Sequence, residues 1–203
     1  MSLIVKICGL RTVEEALYAA QAGADAIGLN FYPASPRVVS VEVAADIAAA
    51  LPRGVWRVGV FVDMPRGQIE QIAGRVGLDA VQFHGAEPPA ACDGWERKTI
   101  KAIRVSGPDT AGAAAAYDVD YLLADAHVAG QPGGTGQRVP LDWLAGFARQ
   151  RLILAGGLTP ETVAEAVRAV RPAGVDVASG VESSPGVKDP EKVERFIANA
   201  RMA

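Results

Sequence analysis

The sequence predicts an α/β fold in which eight parallel strands alternate with helices and close into one (β/α)8 barrel domain spanning residues 1–203. Three observations support this prediction. The length of 203 residues is that of about one domain, eight short apolar runs recur along the chain, and segments with helical periodicity separate several of them. Half of the residues are apolar and 21% are charged, which is typical of a folded domain with a sizeable core.

Eight runs of four to seven mostly uncharged residues are the candidate strands. Continuous apolar runs of this length are typical of strands buried on both faces, as in a parallel sheet covered by helices. In chain order the runs are 3–8, 26–31, 56–62, 80–84, 99–105, 121–125, 152–155 and 175–178.

Four of the intervening segments carry apolar residues at positions i, i+3, i+4 and i+7, which predicts helices with one buried face. Thr12 followed by Glu15 predicts a capping box, and Thr159 and Asp189, each followed by proline, predict two further helix starts. The four apolar stripes begin at Val13, Ile69, Val163 and Val193, and Gly23 and Gly77 are the predicted helix ends.

Composition excludes several functional classes. The formal charge of −3 and the isoelectric point near 5.4, without a cationic stripe, argue against nucleic acid as a partner. No apolar segment approaches the roughly 20 residues of a membrane span, and no signal-peptide pattern opens the sequence, so we expect a cytoplasmic protein. Cys8 and Cys92 are too few for a disulfide framework, and with two histidines no metal site is expected.

Polar or glycine residues occur where most of the candidate strands end. In a (β/α)8 barrel the carboxyl ends of all the strands meet at one face, where active sites are built. We therefore expect an active site formed by residues at these ends, which are Cys8, Asp63, His84, Asp125, Gly156, Gly157, Ser179 and Gly180.

The glycine-containing pairs after the last two strands predict a phosphate site. Loops in this position often present backbone N–H groups to a phosphate, and glycine lets the anion approach closely. Tight turns without a ligand are the alternative for these pairs, Gly156-Gly157 and Ser179-Gly180. Residues 126–140 are rich in glycine and longer than a usual βα loop, which predicts a lid.

Cys8 lies two residues after Lys6, so both side chains point to the same face of the first strand. An ammonium close to the thiol would lower the pKa of the cysteine and favour a reactive thiolate; a buried, inert cysteine is the alternative. Lys6 is either a Schiff-base lysine or, as we favour, the partner of Asp176 in an internal ion pair, because barrel closure brings the first and last strands together.

Three further side chains are candidates for the chemistry. Asp125 ends an apolar strand, where partial desolvation suits a general acid, although an aspartate there also suits a helix cap or a loop anchor. Arg37 follows the second strand, and its planar guanidinium suits a bidentate grip on a carboxylate; a surface arginine is the alternative. His84 is either a base or a loop histidine that forms only hydrogen bonds.

Short motifs cover nearly the whole chain in a consistent order. They are VKICG at residues 5–9, SPR at 35–37, VGVFV at 58–62, VQFHG at 81–85, LAD at 123–125, GGTG at 133–136, AGGL at 155–158 and VDVASGVE at 175–182. This set resembles the phosphoribosylanthranilate isomerase family of tryptophan biosynthesis, and KICG, VQ-x-HG and DV-x-SGVE are its most specific strings. Phe83, where the family usually has leucine, and Asn30, where it usually has an apolar residue, depart from the pattern and concern local packing.

The resemblance implies an enzyme without a cofactor that performs an Amadori rearrangement of N-(5-phosphoribosyl)anthranilate. By the same resemblance, Asp125 is the general acid that protonates the furanose ring oxygen, and Cys8 is the general base that removes the C2 proton. Arg37 would hold the anthranilate carboxylate, with His84 and Asp176 as further substrate contacts. The implied phosphate-binding residues are Gly156, Gly157, Ser179, Gly180 and, in the predicted lid, Gly134.

Two alternatives to this function follow from the same fold. The histidine-pathway isomerase and its relatives that serve both pathways are longer and carry aspartate at the position of Cys8. A catalytically silent barrel that binds a phosphosugar would need the glycines but not both Cys8 and Asp125. The expected partner is a small phosphoribosyl molecule, with neither nucleic acid nor membrane, and both a monomer and a homodimer are consistent with the sequence.

Overall fold

A computed structural model describes residues 3–125 and 141–203 of the chain, and within them eight parallel strands form a closed barrel in sequence order. The barrel closes where β1 pairs with β8, with Lys6 opposite Asp176. The strands are β1 (Ile4–Cys8), β2 (Ala26–Asn30), β3 (Trp56–Phe61), β4 (Ala80–Phe83), β5 (Lys98–Arg104), β6 (Tyr121–Asp125), β7 (Leu152–Ala155) and β8 (Gly174–Val177). The predicted fold class is therefore confirmed, and every predicted strand lies within one residue of its observed bounds.

The helical layer is less regular than the alternation of the sequence predicts. The elements after β4 and β5 are helices of four and five residues, and two 3-10 turns, Leu141–Leu144 and Arg149–Arg151, precede β7. The helices are α1 (Val13–Gln21), α2 (Val41–Ala50), α3 (Arg66–Val76), α4 (Pro89–Cys92), α5 (Thr110–Ala114), α6 (Val163–Val170) and α7 (Pro190–Arg201).

Two of the predicted helix starts differ from the structure in detail. Thr12 caps α1 by accepting a hydrogen bond from the Glu15 N–H, but the Glu15 carboxylate accepts from the backbone N–H groups of Arg11 and Lys188 instead of completing the box. The α6 helix begins at Val163 and not at Thr159, because the hydroxyl of Thr162 accepts from the Thr159 N–H and closes a turn first. The predicted start at Asp189 is confirmed, since its side chain caps α7.

The core has two layers, one inside the barrel and one between the strands and the helices. Inside, an apolar cluster formed by Val58, Ile100, Leu123, Ile153 and small alanines fills the middle of the barrel. At the amino ends of the strands, Trp56 packs against Tyr121 with ring centroids 5.9 Å apart and closes the bottom. The polar residues of the interior are thereby left near the carboxyl ends.

After β8, the chain forms a 3-10 turn, Ser179–Val181, and a small antiparallel hairpin of β9 (Glu182–Ser184) and β10 (Val187–Lys188). The hairpin lies beside the loop after β2, because a side chain on Gly186 would come within 2.8 Å of the Pro36 carbonyl oxygen. Among the described residues, none of the helices is long and apolar enough to cross a membrane.

Candidate active site

The carboxyl ends of the strands surround a cavity of about 860 Å³. Of the predicted site residues in the described part of the chain, all but Asp63 line it. Gly134 and the predicted lid, 126–140, lie outside the described residues. The predicted residues that line the cavity are Cys8, Arg37, His84, Asp125, Gly156, Gly157, Asp176, Ser179 and Gly180.

Cys8 ends β1 and is 8% exposed at the floor of this cavity. Gly28 on the neighbouring strand makes room for it, since a Cβ there would lie 2.7 Å from the Cys8 sulfur. Burial raises the pKa of Cys8, and the nearby ammonium groups of Lys6 and Lys188 offset this only in part. The expectation that Lys6 lowers the pKa of the thiol below its ordinary value is therefore wrong, because desolvation outweighs the attraction of the cations.

Lys6 and Asp176 form the predicted ion pair, with 2.6 Å between the Lys6 Nζ and the Asp176 Oδ1, and both side chains are buried. Although burial alone would lower the pKa of Lys6, the charges of Asp176 and Cys8 raise it above its ordinary value. A lysine held protonated in this way is no nucleophile, which argues against the Schiff-base alternative. The ammonium lies close to the thiol of Cys8, where it stabilises the thiolate once this forms.

His84 stands at the mouth of the cavity just after β4, and its Nδ1 lies 2.9 Å from the amide nitrogen of the buried Gln82. Desolvation by the surrounding cavity wall lowers the pKa of His84, and the carboxylates of Asp125 and Asp176 offset this in part. A lowered pKa keeps the imidazole neutral at pH 7, so His84 suits hydrogen bonding to a substrate better than holding a positive charge.

The loop that carries His84 is held by a buried ion pair outside the barrel. The ammonium of Lys101 on β5 lies 2.6 Å from the Glu87 carboxylate, which also accepts hydrogen bonds from the backbone N–H groups of Asp63 and Gly85. Asp63 has a positive φ of 48°, and its carboxylate accepts from the Ala86 N–H. Asp63, which the sequence places among the strand-end residues, thus serves to link two loops.

Arg37 already grips a carboxylate in this structure, that of Glu182 after β8. The Nε and Nη2 atoms of the guanidinium lie 2.6 and 2.7 Å from the two Glu182 oxygens. Lys188 adds a second cation at 2.8 Å. Although burial opposes it, hydrogen bonds from Arg37 and Lys188 lower the pKa of Glu182 to about 2. Gly9 leaves space for this arginine, since a Cβ there would lie 2.5 Å from the Arg37 Cδ.

Sequence reasoning assigned no role to Glu182 or Lys188. Glu182 ends the SGVE string that carries the resemblance, and this position was the one available signal. Lys188 gives none, because an isolated lysine near the end of a chain is ordinarily exposed.

The two glycine-containing loops differ in the reason for their glycines. Gly156 and Gly157 have φ angles of 86° and 68°, which favour glycine, and a Cβ on Gly157 would meet open space. A Cβ on Gly180 would lie 1.8 Å from the Leu158 carbonyl oxygen, so this glycine lets the loops after β7 and β8 touch. That close approach is a structural reason for Gly180 that holds with or without a phosphate.

Comparison with known proteins decides the family. A family model described as N-(5'phosphoribosyl)anthranilate (PRA) isomerase matches residues 5–199. The chain belongs to this family. An N-(5'-phosphoribosyl)anthranilate isomerase of Pseudomonas fluorescens (strain Pf0-1) is 49% identical over 198 residues, which are 97% of each chain.

Solved structures of PRA isomerases have the same fold. The enzyme of Thermotoga maritima is 40% identical, with a TM-score of 0.91 over 99% of this chain and 100% of the other. A second structure, at 39% identity and a TM-score of 0.86 over the same shares, is that of a phosphoribosyl anthranilate isomerase in complex with reduced 1-(o-carboxyphenylamino)-1-deoxyribulose 5-phosphate.

The two departures from the PRA isomerase pattern are accommodated locally. Phe83 is buried and packs edge-on against Trp95, with ring centroids 5.4 Å apart. The Asn30 side chain accepts a hydrogen bond of 2.8 Å from the Tyr32 N–H and so orders the start of the loop that carries Arg37. Asn30 also lines the cavity, whereas Phe83 does not.

Proposed function

We propose that Cys8 and Asp125 are the acid–base pair with which this PRA isomerase family member converts N-(5-phospho-β-D-ribosyl)anthranilate to 1-(2-carboxyphenylamino)-1-deoxy-D-ribulose 5-phosphate. One observation carries the proposal: a thiol and a carboxyl group from different strands, β1 and β6, line one cavity that also contains an arginine and two glycine loops. A binding protein for a phosphosugar has no need of such a pair.

In the first step the Asp125 carboxyl group protonates the furanose ring oxygen. The bond between C1 and the ring oxygen breaks as the lone pair of the anthranilate nitrogen forms a C=N bond. Because the nitrogen of this protonated imine carries a positive charge, the proton on C2 is already acidified and the step that follows needs only a modest base.

In the second step the Cys8 thiolate takes the C2 proton, and the C–H electrons form a C1=C2 double bond while the C=N pair returns to nitrogen. The resulting enamine carries a hydroxyl group on C2 and tautomerises to the ketone. The ammonium of Lys6 stabilises the thiolate, whereas Asp176, the ion-pair partner of Lys6, also lines the cavity as a contact for the sugar.

The substrate has an anionic group at each end, and the cavity offers a different partner to each. Arg37 is placed at the rim after β2 to meet the anthranilate carboxylate, and His84 offers a neutral hydrogen-bonding ring in the same cavity. Backbone N–H groups beside Gly156, Gly157, Ser179 and Gly180 would hold the phosphate, with Gly134 as a further proposed contact.

The test is the loss of anthranilate-derivative fluorescence when purified protein meets freshly generated substrate, with Cys8→Ala and the histidine-pathway substrate run in parallel. Rapid loss with the first substrate, abolished in the variant, supports a dedicated isomerase. Turnover of both substrates would indicate a bifunctional enzyme, and binding without turnover would indicate a silent barrel.

We further propose that the protein acts in the cytoplasm as a monomer or a homodimer on this small molecule. Light scattering of the purified protein and fractionation of cells that express it test the two parts of this proposal.

A further inference from the structure

The guanidinium of Arg37 is held on one side and open on the other. Its Nε and Nη2 atoms donate hydrogen bonds to the Glu182 carboxylate. No residue in the described part of the chain forms a hydrogen bond with Nη1. The side chain of Arg37 is 22% exposed where it meets the cavity. An arginine bound bidentately along one edge keeps its end-on edge, Nη1 and Nη2, for a second planar anion.

Glu182 is itself fixed by more than Arg37. The Lys188 ammonium donates to one Glu182 oxygen at 2.8 Å and to the Ala178 carbonyl oxygen at 2.9 Å, while the Lys192 ammonium donates to the backbone carbonyl of Glu182. The side chains of Glu182 and Lys188 are 5% and 3% exposed. Such a carboxylate has little freedom to move when a ligand arrives.

The hairpin of β9 and β10 brings these residues to Arg37. Its turn contains Gly186, with φ of 81°, directly against the Pro36 carbonyl oxygen. At its far end the Lys188 N–H donates to the Glu15 carboxylate of α1. The hairpin is therefore attached to the loop of Arg37 at one end and to the outer helices at the other.

We propose that Glu182, supported by Lys188, is a specificity-determining positioning residue: it aims Arg37 so that the site prefers a substrate whose aromatic amine carries a carboxylate. The cluster of Arg37, Glu182 and Lys188 has two positive charges and one negative charge, so one positive charge remains for the substrate carboxylate. Lys188 also bonds Ala178, which precedes Ser179-Gly180, and so joins the two ends of the binding site. This inference rests on the proposed function.

The variant Glu182→Gln tests whether the Glu182 carboxylate positions Arg37, because it changes the hydrogen bonding at position 182 but hardly the size of the side chain. The amide is close to the carboxylate in size, but its NH2 group faces the donors of Arg37 and cannot accept from them. The arginine then loses one of its two bonds and its fixed direction. Glu70→Gln is the matched control, because Glu70 forms an exposed ion pair with Arg66 on α3, away from the cavity.

The experiment uses calorimetric titration with two probes: reduced 1-(o-carboxyphenylamino)-1-deoxyribulose 5-phosphate and the same molecule without its carboxyl group. We expect Glu182→Gln to weaken the binding of the first probe about 10- to 100-fold, the usual range for a charge-assisted hydrogen bond. The binding of the second probe should weaken less than about threefold. In turnover, KM should rise about tenfold or more while kcat changes less than about threefold. The Glu70→Gln control should match the unchanged protein with both probes.

If the binding of both probes weakens equally, Glu182 only supports the structure. If the binding of both is unchanged, Arg37 does not depend on Glu182 for its position. Either result overturns the inference while leaving the proposed function intact. Failure of the unchanged protein to bind either probe or to turn over substrate would instead overturn the proposed function. If Glu182→Gln does not fold, Glu182→Asp carries the test, because the shorter carboxylate withdraws from Arg37 and should reduce the preference for the first probe about threefold or more.

Discussion

At the scale of single residues, the protonation state of Cys8 is set by opposing influences, of which burial is the largest. Burial at the floor of the cavity favours the neutral thiol, while Lys6 and Lys188 favour the thiolate and Asp176 opposes it. The net result in the protein without substrate is a raised pKa. Cys8, the base of the proposed mechanism, is therefore mainly a neutral thiol before substrate binds, and its thiolate fraction removes the proton.

The first prediction concerns the acid–base pair. Cys8→Ala and Asp125→Ala should each reduce kcat by about 10²–10⁴-fold, the usual value of a general acid or base, with little change in substrate affinity. Steady-state kinetics with fluorescence detection gives the measurement. A variant that retains its kcat would remove that residue from its proposed role.

The second prediction concerns the pKa of the thiol. Because this pKa is raised, the alkylation of Cys8 by iodoacetamide should accelerate about tenfold per pH unit from pH 7 to 9 without reaching a plateau. Mass spectrometry of the labelled peptide measures the rate. Cys92, whose pKa burial raises to about 11, is the internal control and should react more slowly throughout, because it is 1% exposed against 8% for Cys8. A plateau below pH 8 at Cys8 would contradict the raised pKa.

At the scale of elements, the site depends on close approaches between loops that follow neighbouring strands. Gly28 leaves space for Cys8, and Gly9 leaves space for Arg37. Gly180 leaves space for the Leu158 carbonyl oxygen. These three glycines shape the cavity, although they have no side chain to contact a substrate. The loops after β7 and β8 would separate if the last of these contacts were blocked.

The third prediction tests that contact. Gly180→Ala should lower the free energy of unfolding by about 1–3 kcal/mol, the usual cost of overpacking, and weaken the binding of inorganic phosphate. Gly74→Ala is its control, because Gly74 lies within α3 with open space around it and should stabilise the protein by about 0.5–1 kcal/mol. Urea denaturation and phosphate titration measure the two effects. An unchanged stability in Gly180→Ala would show that the loops move apart without cost.

At the scale of the whole molecule, buried ion pairs make the stability of the fold depend on pH. The lowered pKa of Glu182, about 2, means that its contribution is complete above its ordinary value of 4.5 and is lost as the pH falls from there through 2. The raised pKa of Lys6 acts in the other direction: its contribution is complete below its ordinary value of 10.5 and is lost only in stronger alkali.

The fourth prediction follows for acid. Between pH 5 and pH 2 the protein should lose on the order of 3 kcal/mol of unfolding free energy through Glu182, at about 1.4 kcal/mol per pKa unit. Glu182→Gln should lose less over the same range, so its stability should converge with that of the unchanged protein in acid. Urea denaturation at a series of pH values measures this, with Glu70→Gln as the control. If the difference in unfolding free energy between Glu182→Gln and the unchanged protein were constant at all pH values, Glu182 would not titrate as stated.

The sequence alone determined the barrel and the face that carries the site. Strands buried on both sides are continuous apolar runs, which makes them recognisable in the sequence. Parallel strands bring their carboxyl ends to one face, so the sequence alone predicted that Cys8, His84 and Asp125 lie together. Even the ion pair of Lys6 and Asp176 followed from closing the first strand against the last.

Only the tertiary structure decided how those residues are held and charged. Arg37 and Glu182 are 145 positions apart, and no local pattern links them, because their pairing depends on a hairpin docking on another loop. The direction of the Cys8 pKa shift depends on how burial compares with charges a few ångströms away, which strand alternation does not specify. Local periodicity sets which side of a strand a residue faces, whereas the balance of desolvation and charge is set by distances that exist only once the chain has folded.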